Sequence, residues 1–252
     1  MSGAATARRA LGLLDLTDLS DTCSQAAIDK LCHRARTPQG NVAAICIWPQ
    51  FVRHAARLLK GSGVKVATVI NFPGGGTDID RALEDTHEAL RDGADEIDLV
   101  MPYRAFLQGD ATTPHDMIAA VADATAPHHV LKVILETGAL NQPEAIVRAS
   151  QLAIAAGASF IKTSSGKTPV SATPEAARLM LHAIKASGKP VGFKAAGGVR
   201  SVEDAALYLG LADEIMGPGW ASPATFRFGA SGLLDALLAA LDGKSAAGKE
   251  GY

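Results

Sequence analysis

Cysteine is scarce in this chain, and the three that occur, Cys23, Cys32 and Cys46, exclude more than they suggest. Their number is odd, and their spacings fit neither a disulfide framework nor a zinc site. A reducing compartment, the cytoplasm, is the simplest setting. A basic excess is lacking too. The formal net charge of -2 sets nucleic acid aside as a partner. No window approaches the roughly 18 uninterrupted apolar residues of a membrane span, so no membrane partner is expected. Arg8-Arg9 ahead of Leu11-Gly-Leu-Leu14 faintly resembles a twin-arginine or secretory signal. That apolar run stops at Asp15, short of an h-region of about 7–15 residues, and an uncleaved N-terminal helix is the better reading. No His/Asp/Glu set has metal-ligand spacing, so no metal and no cofactor are expected. No linker rich in Pro, Gly or Ser divides the chain.

What is present is a hydrophobic share of 48% spread over 252 residues, enough for a core without disulfide staples. That length matches a single TIM barrel, typically about 250 residues. Short apolar, β-rich runs recur along the chain. Strands are expected at Val42–Trp48, Lys65–Phe72, Glu96–Met101, Val130–Glu136, Phe160–Ser164, Val191–Ala195, Glu214–Gly217 and Arg227–Gly229, the last two resting on weak patterns. Helical patterns lie between them, at Arg81–Arg91, Pro143–Ala156 and Pro174–Ser187, the last with Thr173 as N-cap. Alternating strand and helix implies a parallel sheet with right-handed crossovers, and eight strands imply closure. The expected fold is therefore α/β, a single (β/α)8 TIM barrel over residues 1–252 with an N-terminal helix and a flexible C-terminal tail, Gly243–Tyr252.

An internal echo supports this reading. Asp92-Gly-Ala-Asp-Glu-Ile-Asp98 is similar to Ala156-Gly-Ala-Ser-Phe-Ile-Lys162, and Gly210-Leu-Ala-Asp-Glu-Ile-Met216 is similar to both. The echo aligns Asp98 with Lys162 at equal depth on the same side of the sheet.

Catalytic groups of a barrel come from the C-terminal strand ends and the loops beyond them. Three residues qualify: Asp98, Lys162 and Lys194, each within an apolar strand. A single buried lysine is explained equally well by an ion pair or a snorkelling stem. Two lysines on successive strands, with an aspartate two strands earlier, shift the balance to chemistry. Strands lie about 4.8 Å apart, which places the two ammonium groups roughly 6 Å from one another. At an effective dielectric near 20 their repulsion is about 3 kcal/mol. That brings an amine from its ordinary value of about 10.4 towards 8, where a nucleophile is substantially neutral. Asp98 can pair with the remaining cation or move protons. Spacing alone does not say which lysine attacks.

A second group of residues suits an anion. Gly166-Lys167, Gly197-Gly198 and Gly229-Ala-Ser231-Gly232 all follow strands, the last opening the helical run Leu233–Leu241. Glycines let backbone N–H groups approach a ligand, and a helix N-terminus favours negative charge. Each pair alone is also explained by a plain turn. Together, with Lys167 and Arg200, they point to a phosphorylated substrate. Asn71-Phe-Pro-Gly-Gly-Gly76 lacks the Gly-Lys-Ser/Thr ending of a nucleotide loop and reads as a flexible βα loop. His33, His54, His87 and His182 lie in helical patterns, and His128-His129 precedes a strand at the wrong end of a barrel. Cys46 sits on a strand, where a small buried hydrophobe is the commoner role than a pocket wall.

At these residues the chain resembles the deoxyribose-phosphate aldolases, from Leu14-Asp-Leu-Thr17 to Tyr252. The most specific pieces are Phe160-Ile-Lys-Thr-Ser-Ser-Gly-Lys167, Gly192-Phe-Lys-Ala-Ala-Gly-Gly-Val-Arg200, Asp95-Glu-Ile-Asp98 with Pro102-Tyr-Arg104, and Phe226-Arg-Phe-Gly-Ala-Ser231. The resemblance implies a metal-independent, Schiff-base-forming aldolase that interconverts 2-deoxy-D-ribose 5-phosphate with D-glyceraldehyde 3-phosphate and acetaldehyde. It implies Lys162 as the Schiff-base lysine, Lys194 as the lysine that perturbs it, and Asp98 as the proton-transfer group. It also implies Asp15, Thr17 and Lys167 as substrate-site residues, Tyr252 in proton exchange at the acetaldehyde carbon, and a homodimer. Cys46, Gly166, Gly197, Gly198, Gly229 and Ser231 complete the expected substrate site. The nearest family form has Pro in place of Ala195 and a second Ser in place of Gly232. The first change is expected to loosen the strand end, and the second removes a hydroxyl donor to phosphate. Two rivals remain: another Schiff-base aldolase or transaldolase, and a non-catalytic phosphosugar-binding barrel.

Overall fold

The computed structural model describes residues 3–243. Its centre is a closed parallel barrel of eight strands. They are β1 (Leu14–Asp18), β2 (Ala44–Ile47), β3 (Lys65–Ile70), β4 (Glu96–Val100), β5 (Val130–Ile134), β6 (Phe160–Lys162), β7 (Gly192–Ala196) and β8 (Phe226–Ala230). Each strand pairs with its neighbours in sequence, and β1 closes the ring against β8 and β2. A two-residue ribbon, Arg36–Thr37 with Gly40–Asn41, stands apart from the barrel.

The strand count agrees with the sequence reading, but two assignments change. Glu214–Gly217 is not a strand: through Met216 it is the last turn of helix Val202–Met216, with Gly217 as its C-cap. The likeness of Gly210–Met216 to the two true turn-and-strand segments concealed that. The strand missing from the sequence reading is β1, where Asp15 interrupts a run too short to register as periodic. With β1 in place and Glu214–Gly217 removed, Gly192–Ala196 becomes the seventh strand and Phe226–Ala230 remains the eighth. The glycine turns after them then fall where TIM barrels commonly bind phosphate.

Strands covered on both faces read as near-continuous apolar runs. Here the outward side chains, such as Ile45, Ile97, Leu131, Val133, Ile161 and Phe228, are buried under the helices. The helices begin where short polar side chains satisfy their first free N–H groups. Thr173 accepts from Ala176 N at the start of Pro174–Ser187, and Asp78 accepts from Arg81 N before Ile79–Arg91. Ser201 and Asp204 form a reciprocal capping box at Val202–Met216. The N-terminal helix, Gly3–Leu11, buries Ala7, Ala10 and Leu11 against Val202–Met216 and Leu233–Leu241. Its Arg9 makes a two-pronged ion pair with Asp213, at 2.5 and 2.6 Å.

One further expectation changes. The loop Asn71–Gly76 is tied rather than loose: the Asn71 amide donates to Gly76 O and Val100 O and accepts from Gly76 N. At Ala195 the strand is continuous. β7 runs on to Ala196, whose N–H donates to Thr163 Oγ1 at 3.0 Å. The Gly243–Tyr252 tail lies outside the described residues beyond Gly243.

Candidate active site

The bore of the barrel is unusual for its charge. Pleating turns alternate residues inward, and on β1, β4, β5, β6, β7 and β8 several of those positions are ionisable. Asp15, Glu96, Asp98, Lys132, Lys162, Lys194 and Arg227 form one connected cluster. Lys132, Lys194, Asp15 and Asp98 have no exposed surface, and Lys162 keeps 3%. Such burial is tolerated only when charges are paired and their hydrogen bonds met.

Asp98 is the hub. Its Oδ2 accepts from Lys162 Nζ at 2.7 Å and from Lys194 Nζ at 2.8 Å, and its Oδ1 from Lys132 Nζ at 2.9 Å. The two lysines expected to act together therefore touch a single oxygen. They are register partners on β6 and β7. Asp98 pairs in register with Lys132, and Lys132 with Phe160, so Lys162 lies two residues further along its strand. A barrel shear of about one residue per strand brings Lys162 back level with Asp98. That is the equal depth the sequence echo implied.

Lys194 has a second carboxylate, Asp15 Oδ2, at 2.6 Å. Below it, Arg227 bridges Asp15 Oδ1 at 2.6 Å and Glu96 Oε1 at 2.7 Å, while Lys132 reaches Glu96 Oε2 at 2.5 Å. Of the seven side chains, three can be anionic and four cationic. With all ionised the cluster carries one unmatched positive charge. With Lys162 neutral, it balances.

The protonation preferences follow that arithmetic. Burial lowers the Lys162 ammonium, Asp98 opposes the effect, and the Lys194 cation lowers it further. The direction is the one expected from two lysines, but desolvation is the leading cause, and the Lys194 charge ranks behind both burial and the opposing Asp98. Burial also acts to lower Lys194, yet Asp15 and then Asp98 overcome it and hold that group well above an ordinary lysine. Lys132 is raised despite burial by Asp98 and Glu96. Burial alone would raise Asp98, but Lys132, Lys162 and Lys194 hold it well below the usual carboxylate range.

A cleft of about 590 Å³ opens above Lys162. Thr17, Gly166, Lys167, Gly197, Gly198, Gly229 and Ser231 line it, together with Arg200 and Gly232. Thr17 is held by a bond from its hydroxyl to Asp15 O, and Lys167 reaches Asp21 at 3.2 Å. Gly232 is the N-cap of helix Leu233–Leu241 and offers no side-chain cap, so the first N–H groups of that helix open at the rim. Two glycines are required by space. A Cβ at Gly197 would stand 2.5 Å from the Ser171 side chain, and one at Gly229 would stand 2.9 Å from Lys194 Cε.

Asp15 and Cys46 do not line the cleft. Asp15 lies beneath it, bound to Lys194 and Arg227. Cys46 is fully buried, 3.9 Å from Asp98, its thiol pushed up by burial and by that carboxylate. Tyr252 lies outside the described residues. Sequence reasoning passed over Lys132, Glu96 and Arg227, although each carries the same signal as Lys162: an ionisable residue inside an apolar strand. Among the described residues no cluster of metal-ligating side chains occurs.

A buried lysine poised towards neutrality, beside a carboxylate and beneath a glycine-rimmed cleft, is the arrangement of a carbonyl-attacking nucleophile. Residues 10–236 match the DeoC/LacD family aldolase profile. The chain belongs to that family. Among its relatives is the deoxyribose-phosphate aldolase of Agrobacterium fabrum (strain C58), 55% identical over 96% of this chain and 94% of that one. A candidate deoxyribose-phosphate aldolase of Toxoplasma gondii ME49 superposes with a TM-score of 0.86, at 26% identity over 97% of this chain and 98% of the other. The tetrameric deoxyribose phosphate aldolase of Aeropyrum pernix shares the fold, with a TM-score of 0.77 at 24% identity over 94% of this chain and 92% of its own.

Proposed function

We propose that this DeoC/LacD aldolase reversibly cleaves 2-deoxy-D-ribose 5-phosphate to D-glyceraldehyde 3-phosphate and acetaldehyde, with Lys162 as the Schiff-base lysine. The observation that carries the reading is the position of Lys162: buried, lowered towards neutrality, bonded to one shared carboxylate oxygen, and opening on the cleft.

The opened sugar enters with its phosphate towards Gly197-Gly198, Ser231 and the N-terminus of Leu233–Leu241, with Lys167 and Arg200 adding positive charge. Lys162 attacks C1, and loss of water gives an iminium. The iminium is an electron sink, so the C2–C3 bond breaks as the C3 hydroxyl gives up its proton. Asp98 is assigned to receive and return that proton, with Lys194, kept cationic, donating to the same carboxylate. Glyceraldehyde 3-phosphate leaves, the enamine is protonated at C2, and hydrolysis frees acetaldehyde and Lys162. Tyr252 is assigned to proton exchange at C2. Asp15 acts from below by keeping Lys194 charged.

The same reading takes the enzyme as a cytoplasmic homodimer. Its free cysteines support the compartment. No helix among the described residues is long and apolar enough to cross a membrane. Light scattering distinguishes a dimer from the tetrameric assembly of the Aeropyrum relative.

The decisive experiment is trapping. Incubation with acetaldehyde, borohydride reduction and peptide mapping should give a two-carbon adduct on Lys162. Its absence there defeats the assignment.

A further inference from the structure

One buried carboxylate near the cleft takes no part in the chemistry above. Glu136 follows β5 and is completely buried. Its backbone is left-handed, with φ 58° and ψ 60°, a region that non-glycine side chains rarely adopt. Among the described residues it makes no ion pair, and its Oε2 has no hydrogen-bond partner. A strained backbone and an incompletely satisfied buried acid are each unfavourable, and such features concentrate at functional sites.

The other oxygen shows what the strain maintains. Glu136 Oε1 accepts from Ser165 N at 3.3 Å and from Thr168 Oγ1 at 3.2 Å. These two partners flank Gly166-Lys167, which line the cleft immediately after the Lys162 strand. The next turn supports the far half of the same loop. A Cβ at Gly138 would stand 2.1 Å from Val170 O, so only glycine allows that approach, and Val170 O shares the single Thr168 hydroxyl proton with Glu136 Oε1. Ser171, one residue on, packs against Gly197 on the opposite rim.

We propose that Glu136 is a positioning residue that clamps the loop Ser165–Thr168 and so sets the enzyme's preference for a phosphorylated substrate. It touches neither the substrate nor Lys162. It fixes Gly166 and Lys167 relative to Gly197, and thus the width of the phosphate end of the cleft. The inference rests on the proposed function, since it takes that rim as the phosphate site.

The test compares 2-deoxyribose 5-phosphate with 2-deoxyribose itself. In Glu136→Ala, KM for the phosphorylated sugar should rise about tenfold, the scale of a lost hydrogen-bonded carboxylate. Its kcat, and both constants for the unphosphorylated sugar, should stay within about twofold of the parent. Glu136→Gln keeps an acceptor oxygen and should restore KM. Should Glu136→Ala fail to fold, Glu136→Gly removes the clamp while suiting the left-handed backbone, and the same pattern is expected. Equal losses on both sugars, no loss on either, or Gln behaving as Ala would overturn the clamp. Acetaldehyde trapping on each protein separates the two ideas. No adduct on Lys162 of the unmutated enzyme refutes the aldolase reading. An adduct with unchanged phosphate preference refutes the clamp alone.

Discussion

Lys162 and Lys194 are register partners on adjacent strands, nearly equally buried, and both donate to the same oxygen of Asp98. They nevertheless move in opposite directions, Lys162 downwards and Lys194 upwards. The difference lies in what each meets besides Asp98. Lys194 has Asp15, itself held anionic by Lys194, Arg227 and Lys132 against the cost of burial. Among the described residues Lys162 has no second carboxylate in contact; it has the cleft. Burial is common to both, so counter-charge decides which amine stays protonated and which becomes the nucleophile.

The comparison breaks most completely at Lys162. Lys162→Ala should abolish the reducible adduct and lower cleavage by at least about 10⁴-fold, as expected for loss of a covalent nucleophile. Mass spectrometry showing an active adduct on Lys194 instead would reverse the roles. Lys194→Leu should lower kcat by about 10²–10³-fold, in the range of a lost preorganised charge. Because the Lys194 cation helps to lower Lys162, the acid-side limb, where activity rises as Lys162 loses its proton, should move to higher pH. A profile that keeps its position counts against the pairing.

Stability provides the next contrast. Arg227→Met leaves Glu96 and Asp15 short of a cation deep in the bore, and should cost about 3–5 kcal/mol in urea unfolding. A cost near zero would mean that Lys132 and Lys194 suffice. The depressed Asp15 and Asp98 add acid sensitivity. Their stabilisation is fully present above the unfolded value of about 4 and is lost as pH falls through their lower folded values. Unfolding midpoints between pH 5 and pH 2 should therefore fall, and fall less steeply in Asp98→Asn. The smallest effect belongs to the rim. Among the described residues a Cβ at Gly232 meets nothing within 4 Å, so Gly232→Ser is accommodated there. It should lower KM for the phosphorylated sugar by about twofold to threefold, about half a kcal/mol from the new hydroxyl donor. An unchanged KM would show that Ser231 and backbone groups already saturate the phosphate.

Much of this site was legible in the sequence because its signal is local. A lysine within an apolar strand is conspicuous, and glycines after such a strand mark a rim. The same rule read fully would have found Lys132 within Val130–Ile134 and Glu96 two residues before Asp98. β1 escaped because it spans five residues with an acid inside, and its strand character comes from pairing with β2 and β8, which no local pattern records. Glu214–Met216 misled for the converse reason: a short motif repeated, while the 15-residue helix around it determined its conformation. The choice of nucleophile was not legible from spacing, because Asp15 lies 179 positions from Lys194 and is brought to it only by barrel closure.

Gly229 gives that closure a practical meaning. The room taken by the Lys194 side chain is room that β8 leaves empty, within 2.9 Å of where a methyl group would stand. The charged amine is thus held in place by missing volume as well as by its carboxylates. A redesign that narrows the cleft from this strand has no latitude at residue 229, and Ala230 and Ser231 are the lining positions that follow it.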